Sequence, residues 1–95
     1  MILVRDVFQA KYGKAGELVA LLKEAGQKLP QYPGRILTDA SGTFFTVVTE
    51  TEVASLAAWE QRNKEILAVP DFADWFARMT HLVESGRREY YNIEA

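Results

Sequence analysis

Two hydrophobic periods alternate along this chain, and the places where one gives way to the other mark out its elements. Over residues 2–10, β-branched and aromatic residues dominate (Ile2, Val4, Val7, Phe8) and Gly13 closes the run, which predicts a strand with two mixed faces. Over residues 14–29 the apolar positions Ala15, Leu18, Val19, Leu22, Ala25 and Leu29 fall at helical spacing, with Glu17, Lys23, Glu24 and Lys28 on the other side. That pattern predicts a one-faced helix of about four turns. Pro30 and Pro33-Gly34 end it and lead into a strand over residues 35–40, and Ser41-Gly42 supplies a tight turn into a second strand over residues 43–51.

Residues 53 to about 69 return to helical composition, with Leu56, Ala57, Trp59, Ile66 and Leu67, until Pro70 kinks the helix or starts a new one. Phe72, Trp75, Phe76, Met79, Leu82 and Val83 then repeat at i, i+3, i+4 and i+7 as a bulky stripe, and Gly86 separates it from a final strand over residues 87–93. The order is strand, helix, strand, strand, broken helix, strand. A ferredoxin-like α+β sandwich of βαββαβ order needs this arrangement, with two right-handed crossovers placing the helices on one face of a four-stranded antiparallel sheet.

The other face then needs a cover. On the strand over residues 43–51, Phe44 and Val48 point one way and Phe45 and Val47 the other, so both faces of the sheet receive apolar side chains. A lone copy would expose Phe44 or Phe45, parts of the first strand, and a tyrosine from Tyr90-Tyr91. Such a patch exceeds the few hundred Å² common on soluble monomers. A homodimer through the sheet face is the simplest remedy, and it could enclose a cavity between the copies.

Composition narrows the chemistry. Ninety-five residues form one domain, residues 1–95, near the small end of what folds alone, where association adds useful stability. The absence of cysteine removes disulfides, thiolate nucleophiles and cysteine-held zinc or iron–sulfur centres. A formal charge of −2, with only Arg87-Arg88 clustered and Glu89 following, gives no basic field for nucleic acid. No apolar run approaches the roughly 20 residues of a membrane span, and the opening residues lack a basic stretch followed by a long apolar one, so a cytoplasmic protein is expected.

The opening strand with Tyr12-Gly13-Lys14, the stretch Ser55-Leu56-Ala57-Ala58-Trp59-Glu60, and Pro70-Asp71-Phe72-Ala73-Asp74-Trp75-Phe76 together resemble the dimeric α+β barrel superfamily. Within it, the NIPSNAP-like and antibiotic-biosynthesis-monooxygenase-like branches are the most similar. The resemblance implies a ferredoxin-like sandwich that forms a dimeric α+β barrel. It does not transfer a reaction, because the superfamily spans cofactor-independent quinol monooxygenases, haem-degrading monooxygenases, lactone isomerases and many proteins of unknown function. The haem-degrading members use a strand asparagine, a tryptophan and a haem-ligating histidine. Here the strand positions hold Arg5-Asp6-Val7, Phe76 stands at the histidine position, and Trp59 is a loose match, so neither haem nor any other cofactor is expected.

His81 is the only histidine and so the only side chain whose ordinary pKa suits proton transfer near neutrality. It lies beside the apolar stripe, which equally suits a cation at a helix C-terminus. Arg5 and Asp6 occupy opposite faces of the first strand, so one of them points inward and needs a partner: Arg35, Arg87 or Arg88 for Asp6, Glu50 or Glu89 for Arg5. Trp59, opposite Arg62 and Asn63, gives one helix apolar and polar groups together, and Tyr91 could donate to a ligand oxygen or bond across a dimer seam. Trp75 and Phe76 read as core. No metal-ligand spacing, Ser-His-Asp order, P-loop or GxGxxG occurs.

Two functional expectations result. One is a small homodimeric protein without an assignable reaction, its cavity packed shut or holding a small apolar or aromatic ligand through Arg5, Trp59, Asn63 and Tyr91. The other is a cofactor-independent monooxygenase or isomerase for a quinol-like or aromatic substrate, with His81, Asp6 or a tyrosine moving the proton and Trp59 helping to shape the pocket.

Overall fold

A computed structural model describes all 95 residues. Its elements are β1 (Ile2–Ala10), α1 (Ala15–Lys28), β2 (Arg35–Thr38), β3 (Thr46–Val53), α2 (Leu56–Leu67), α3 (Phe72–Thr80) and β4 (Val83–Asn92). The strands form one antiparallel sheet in the order β2-β3-β1-β4, with β1 in the interior paired to β3 and β4 along nearly its whole length. This is the ferredoxin-like arrangement. The helices all pack on one face, where Val4 and Ala10 of β1 and Val47 and Val53 of β3 meet Leu18 and Leu21 of α1, Trp59 of α2 and Met79 of α3.

The expected closure into a dimeric α+β barrel is corrected by the sheet itself, which is open. β2 and β4 each have a single strand neighbour, so both edges are free. Closure requires edge strands that pair in a consistent register. Here one edge strand has four residues and the other ten, and they lie on opposite sides of the sheet.

Three local features hold the helix layer in place. Ser55 caps α2 by accepting a hydrogen bond from the Ala58 backbone N–H at 3.1 Å. Pro70 separates α2 from α3, so the broken helix is two helices. Arg78 of α3 forks onto Glu24 of α1 with two bonds of 3.0 Å, and the Trp75 indole N–H donates to the Leu21 carbonyl at 3.0 Å. Trp75 therefore belongs to the joint between α1 and α3.

The β2–β3 connection departs from the simple alternation. Asp39 Oδ1 accepts from the Thr46 backbone N–H at 3.0 Å, the Thr46 hydroxyl donates to the Thr43 carbonyl at 2.9 Å, and Gly42 takes φ +92°. This clasp delays β3 to Thr46, three residues later than the apolar pattern implies. Phe45 takes φ +60°, a left-handed conformation uncommon for a large side chain. Its carbonyl accepts from the Ala10 N–H at 3.0 Å, and its ring meets the edge of Tyr12 at 4.6 Å and packs on the core. Phe44 is 68% exposed in the loop, so neither phenylalanine sits on the bare strand face.

Gly86 also plays a different part. It lies inside β4, where a Cβ would stand 3.2 Å from the Val7 carbonyl and 3.5 Å from the Phe8 ring. Its lack of a side chain lets β4 lie close to β1, while the preceding helix ends at Thr80.

Candidate functional site

Register fixes what each sheet face displays. On the helix-covered face, β1 presents Val4, Asp6 and Phe8, β3 presents Thr49 and Thr51, and β4 presents Arg88. Between these residues and the helices lies a cleft of about 400 Å³. Arg62 and Tyr32 also line a second, smaller apolar pocket of about 210 Å³ beside α1 and α3.

One face of α2 forms the wall of the cleft. Trp59, Arg62, Asn63 and Ile66 stand at i, i+3, i+4 and i+7 and all line it, so Trp59 sits on the same side as Arg62 and Asn63 rather than opposite them. The aromatic residues Phe72, Trp75 and Phe76 of α3 close the other side. Phe72 stacks on Phe76 at 5.8 Å, and Phe76 is 49% exposed, which places it at the mouth rather than in the core.

Asp6 lies on the floor. Arg88 donates to both of its oxygens, Nε to Oδ1 at 2.6 Å and Nη2 to Oδ2 at 3.1 Å, and its guanidinium also lies over the Trp59 ring at 4.8 Å. The hydrogen bond to Asp6 holds the Arg88 pKa above the usual arginine value, against the opposing effect of burial. Of the three arginines that the sequence offered Asp6, cross-strand register selects Arg88.

Arg62 is treated differently. It is half-buried with its guanidinium over the Tyr32 ring at 4.5 Å and near the Trp59 ring at 5.6 Å. Nη1 donates to the Thr51 hydroxyl at 2.8 Å, which in turn donates to the Pro33 carbonyl, and Nη2 makes a long bond of 3.4 Å to the Tyr32 carbonyl. No carboxylate lies within ion-pair distance of it. Its Nε is sealed from solvent without an acceptor, and burial lowers its pKa from the usual value.

The uncovered face is a charge ladder. Arg35 of β2, Glu50 of β3, Arg5 of β1 and Glu89 of β4 are cross-strand neighbours, and Arg87 reaches Glu89 along β4. The N···O separations are 2.6 Å for Arg35–Glu50, 3.5 Å for Arg5–Glu50, 3.6 Å for Arg5–Glu89 and 3.0 Å for Arg87–Glu89. Hydrogen bonding from Arg87 holds the Glu89 pKa below the usual carboxylate range, with Tyr91 and Arg5 adding to the effect. Val7 and Val48 lie buried on this same face.

The structure thus brings Asp6, Trp59 and Asn63 together in the cleft, while Arg5 and Tyr91 lie across the sheet from it. His81 is exposed at the C-cap of α3, its backbone N–H donating to the Arg78 carbonyl at 3.2 Å, and it lines neither cleft compartment. Arg62 was visible only as a polar neighbour of Trp59; its spacing of three residues from Trp59 was the available signal. No three His, Cys, Asp or Glu side chains converge as a metal-holding group, and no helix is long and apolar enough to cross a membrane.

These observations define an α+β protein with one open sheet and an aromatic-walled cleft beneath its helices. No protein-family model matches the chain, and no curated protein matches it in sequence. Solved structures do match its fold. It is similar to an uncharacterised NIPSNAP domain protein from Burkholderia xenovorans, with a TM-score of 0.86 and 19% identity over 100% of this chain and 96% of that one. It is similar to a NIPSNAP family protein from Agrobacterium tumefaciens, with a TM-score of 0.84 and 19% identity over 96% and 90% of the two chains. A putative antibiotic biosynthesis monooxygenase from Deinococcus radiodurans matches with a TM-score of 0.73 and 19% identity over 100% and 94%. At these identities the common property is the fold.

Proposed function

We propose that this chain acts in the cytoplasm as a small homodimeric protein that binds an aromatic ligand in the cleft between its sheet and its helices. The observation that carries the reading is the convergence on that cleft of Trp59, Phe72 and Phe76 with the polar groups of Arg62 and Asn63. Flat apolar walls with a few oriented polar groups suit a planar ring system. Trp75 contributes a ring edge whose N–H is already bonded to α1.

The binding test uses 1-naphthamide, a neutral planar probe, and follows the Trp59 and Trp75 indole N–H signals by NMR. Saturable shifts of both signals, weakened by Trp59→Leu, are expected. Unmoved indole signals at saturating probe would overturn the reading.

For the dimer, the support is the composition of the uncovered face. Leu3, Val7, Leu37, Val48 and Tyr91 share it with three arginines (Arg5, Arg35, Arg87) and three glutamates (Glu50, Glu52, Glu89), a neutral set that a two-fold copy can meet without repulsion. Two open sheets would stack through this face, each keeping its own edges. Sedimentation velocity should give two copies for the native chain and dissociation for Leu37→Glu and Tyr91→Glu. A monomeric native chain, or a dimer untouched by both substitutions, would remove this part of the proposal.

A second reading, a cofactor-independent oxygenase or isomerase, draws on the position of Asp6 in the cleft and on the putative monooxygenase among the structures of similar fold. Both Asp6 oxygens accept from Arg88, so a proton arriving there would use a lone pair that the fork leaves open. Turnover of a quinol substrate by the native chain, abolished in Asp6→Asn, would favour it over pure binding.

A further inference from the structure

We propose that the ligand of the cleft is an aromatic carboxylate whose carboxylate group is received by Arg62, an inference that rests on the cleft-binding reading above. The argument is one of unmatched charge. Four cations stand along the cleft: Lys23, Arg62 and Arg88, and at its β2 edge Arg35, whose side chain turns to the uncovered face. Arg88 is matched by Asp6 and Arg35 by Glu50, whereas Lys23 and Arg62 have no carboxylate partner. Lys23 is exposed and solvated at the rim, so its charge costs little. Arg62 is held among the rings of Tyr32 and Trp59 and answered only by neutral oxygens.

A half-buried guanidinium without a counter-charge is unfavourable unless something else supplies one. Three side-chain atoms in the molecule are sealed from solvent without a hydrogen-bond partner: Arg5 Nε, Glu89 Oε1 and Arg62 Nε. The first two stand 3.5 and 3.6 Å from oppositely charged atoms of the ladder, so their electrostatic needs are met within the chain. Arg62 Nε alone has neither, and because it is closed to a ligand as well as to water, compensation of this charge falls to the Nη nitrogens.

The identity of the missing group is set by what surrounds Arg62. A guanidinium presents a planar donor fork that fits a carboxylate, and the rings around it favour a flat ligand body attached to that carboxylate. Arg62 lines both the larger cleft and the apolar compartment beside α1, so a ligand anchored there can direct its ring system into either. Asn63, one residue along the same helix face, offers an amide for a further polar substituent.

The test compares 1-naphthoate with 1-naphthamide, which differ at the group that would meet Arg62, by calorimetry at low ionic strength with the indole signals as the site readout. The native chain should bind naphthoate about tenfold more tightly than naphthamide, the scale of a charge-assisted contact. Arg62→Met, which keeps the length and removes the charge, should erase that preference, so that the two probes bind this variant with equal affinity. Arg62→Lys should retain part of it. Equal affinity of the native chain for the two probes would overturn the anion assignment while leaving the cleft-binding reading intact, and would do so even if Arg62→Met failed to fold. A preference that survives Arg62→Met would also overturn it. Failure of both probes to bind would remove the assignment and the binding reading together.

Discussion

The two faces of the sheet handle arginine in opposite ways. On the uncovered face Arg5, Arg35 and Arg87 each contact a glutamate that register or adjacency along β4 places beside them. On the covered face Arg88 is matched by the same cross-strand logic, but Arg62 comes from a helix and meets only a hydroxyl and a carbonyl. Pairing across strands follows from the period of two, because residues opposite each other are brought within side-chain reach by the backbone ladder. Helix residues have no such guarantee. The lesson is that an unmatched charge in this fold arises where helix meets sheet, and that is also where the cleft lies.

The largest expected effect separates the faces by packing. Leu18 is fully buried under the helix layer, and Leu18→Ala should lower unfolding stability by about 3 kcal/mol in urea titration. Val7, buried on the uncovered face beneath the ladder, should cost only about 1 kcal/mol as Val7→Ala, since it is packed from one side of the sheet alone. Equal losses would mean that the ladder side chains pack as tightly as a helix layer, and the contrast would fail.

The next concerns the ladder. The Glu50 side chain is only 10% exposed and serves both Arg35 and Arg5. Removing one partner of a buried pair costs several kcal/mol, but these arginines are themselves 71% and 36% exposed, which reduces the expectation for Glu50→Gln to about 1–2 kcal/mol. Arg62→Met should be smaller, within about 1 kcal/mol, because the hydrogen bonds lost are offset by removing an unmatched desolvated charge. A loss for Arg62→Met larger than for Glu50→Gln would show that Arg62 serves mainly to tie the α1–β2 loop to α2.

Acid provides the mildest test. Glu89 on the ladder and Glu24 beneath Arg78 both have pKa values lowered from 4.5, each chiefly by its arginine hydrogen bond. Folding therefore favours their ionised forms, and the stabilisation is complete above the unfolded pKa and lost as pH falls through the lower folded values. The melting temperature should be level from neutrality to about pH 5 and decline below it. Glu89→Gln and Glu24→Gln should each flatten that decline, and an unchanged slope in both would remove the assignment.

Much of this architecture was legible from period alone. The residues of β1 and the paired helices α2 and α3 followed from apolar spacing and from Pro70. The start of β3 did not, because Phe44 and Phe45 look like strand residues until the Asp39 side chain clasps Thr46 and turns Phe45 into a left-handed conformation. That single turn also takes both phenylalanines off the bare face, where Tyr91, Leu3 and Leu37 stand among the charges of the ladder. Asp6 required an arginine, but the choice among three depended on β4 register, and Gly86 read as a stop rather than as the point where β4 approaches β1. The site was half visible. Trp59 and Asn63 could be singled out by type, whereas no local rule states that a helix arginine will find no acid in the folded chain.

The free edge of β4 has a consequence for the molecule in a crowded solution. The side of this ten-residue strand that faces away from β1 offers unpaired backbone groups, an invitation for another chain to add a strand and for the sheet to grow from molecule to molecule. This edge carries Glu84, Arg87, Arg88 and Glu89, a mixed run of like and unlike charge on both sides of the strand. An incoming strand must desolvate these charges, and any register that sets like charges opposite each other is disfavoured. The run that holds Asp6 on one face and closes the ladder on the other thereby also works against growth of the open sheet at this edge.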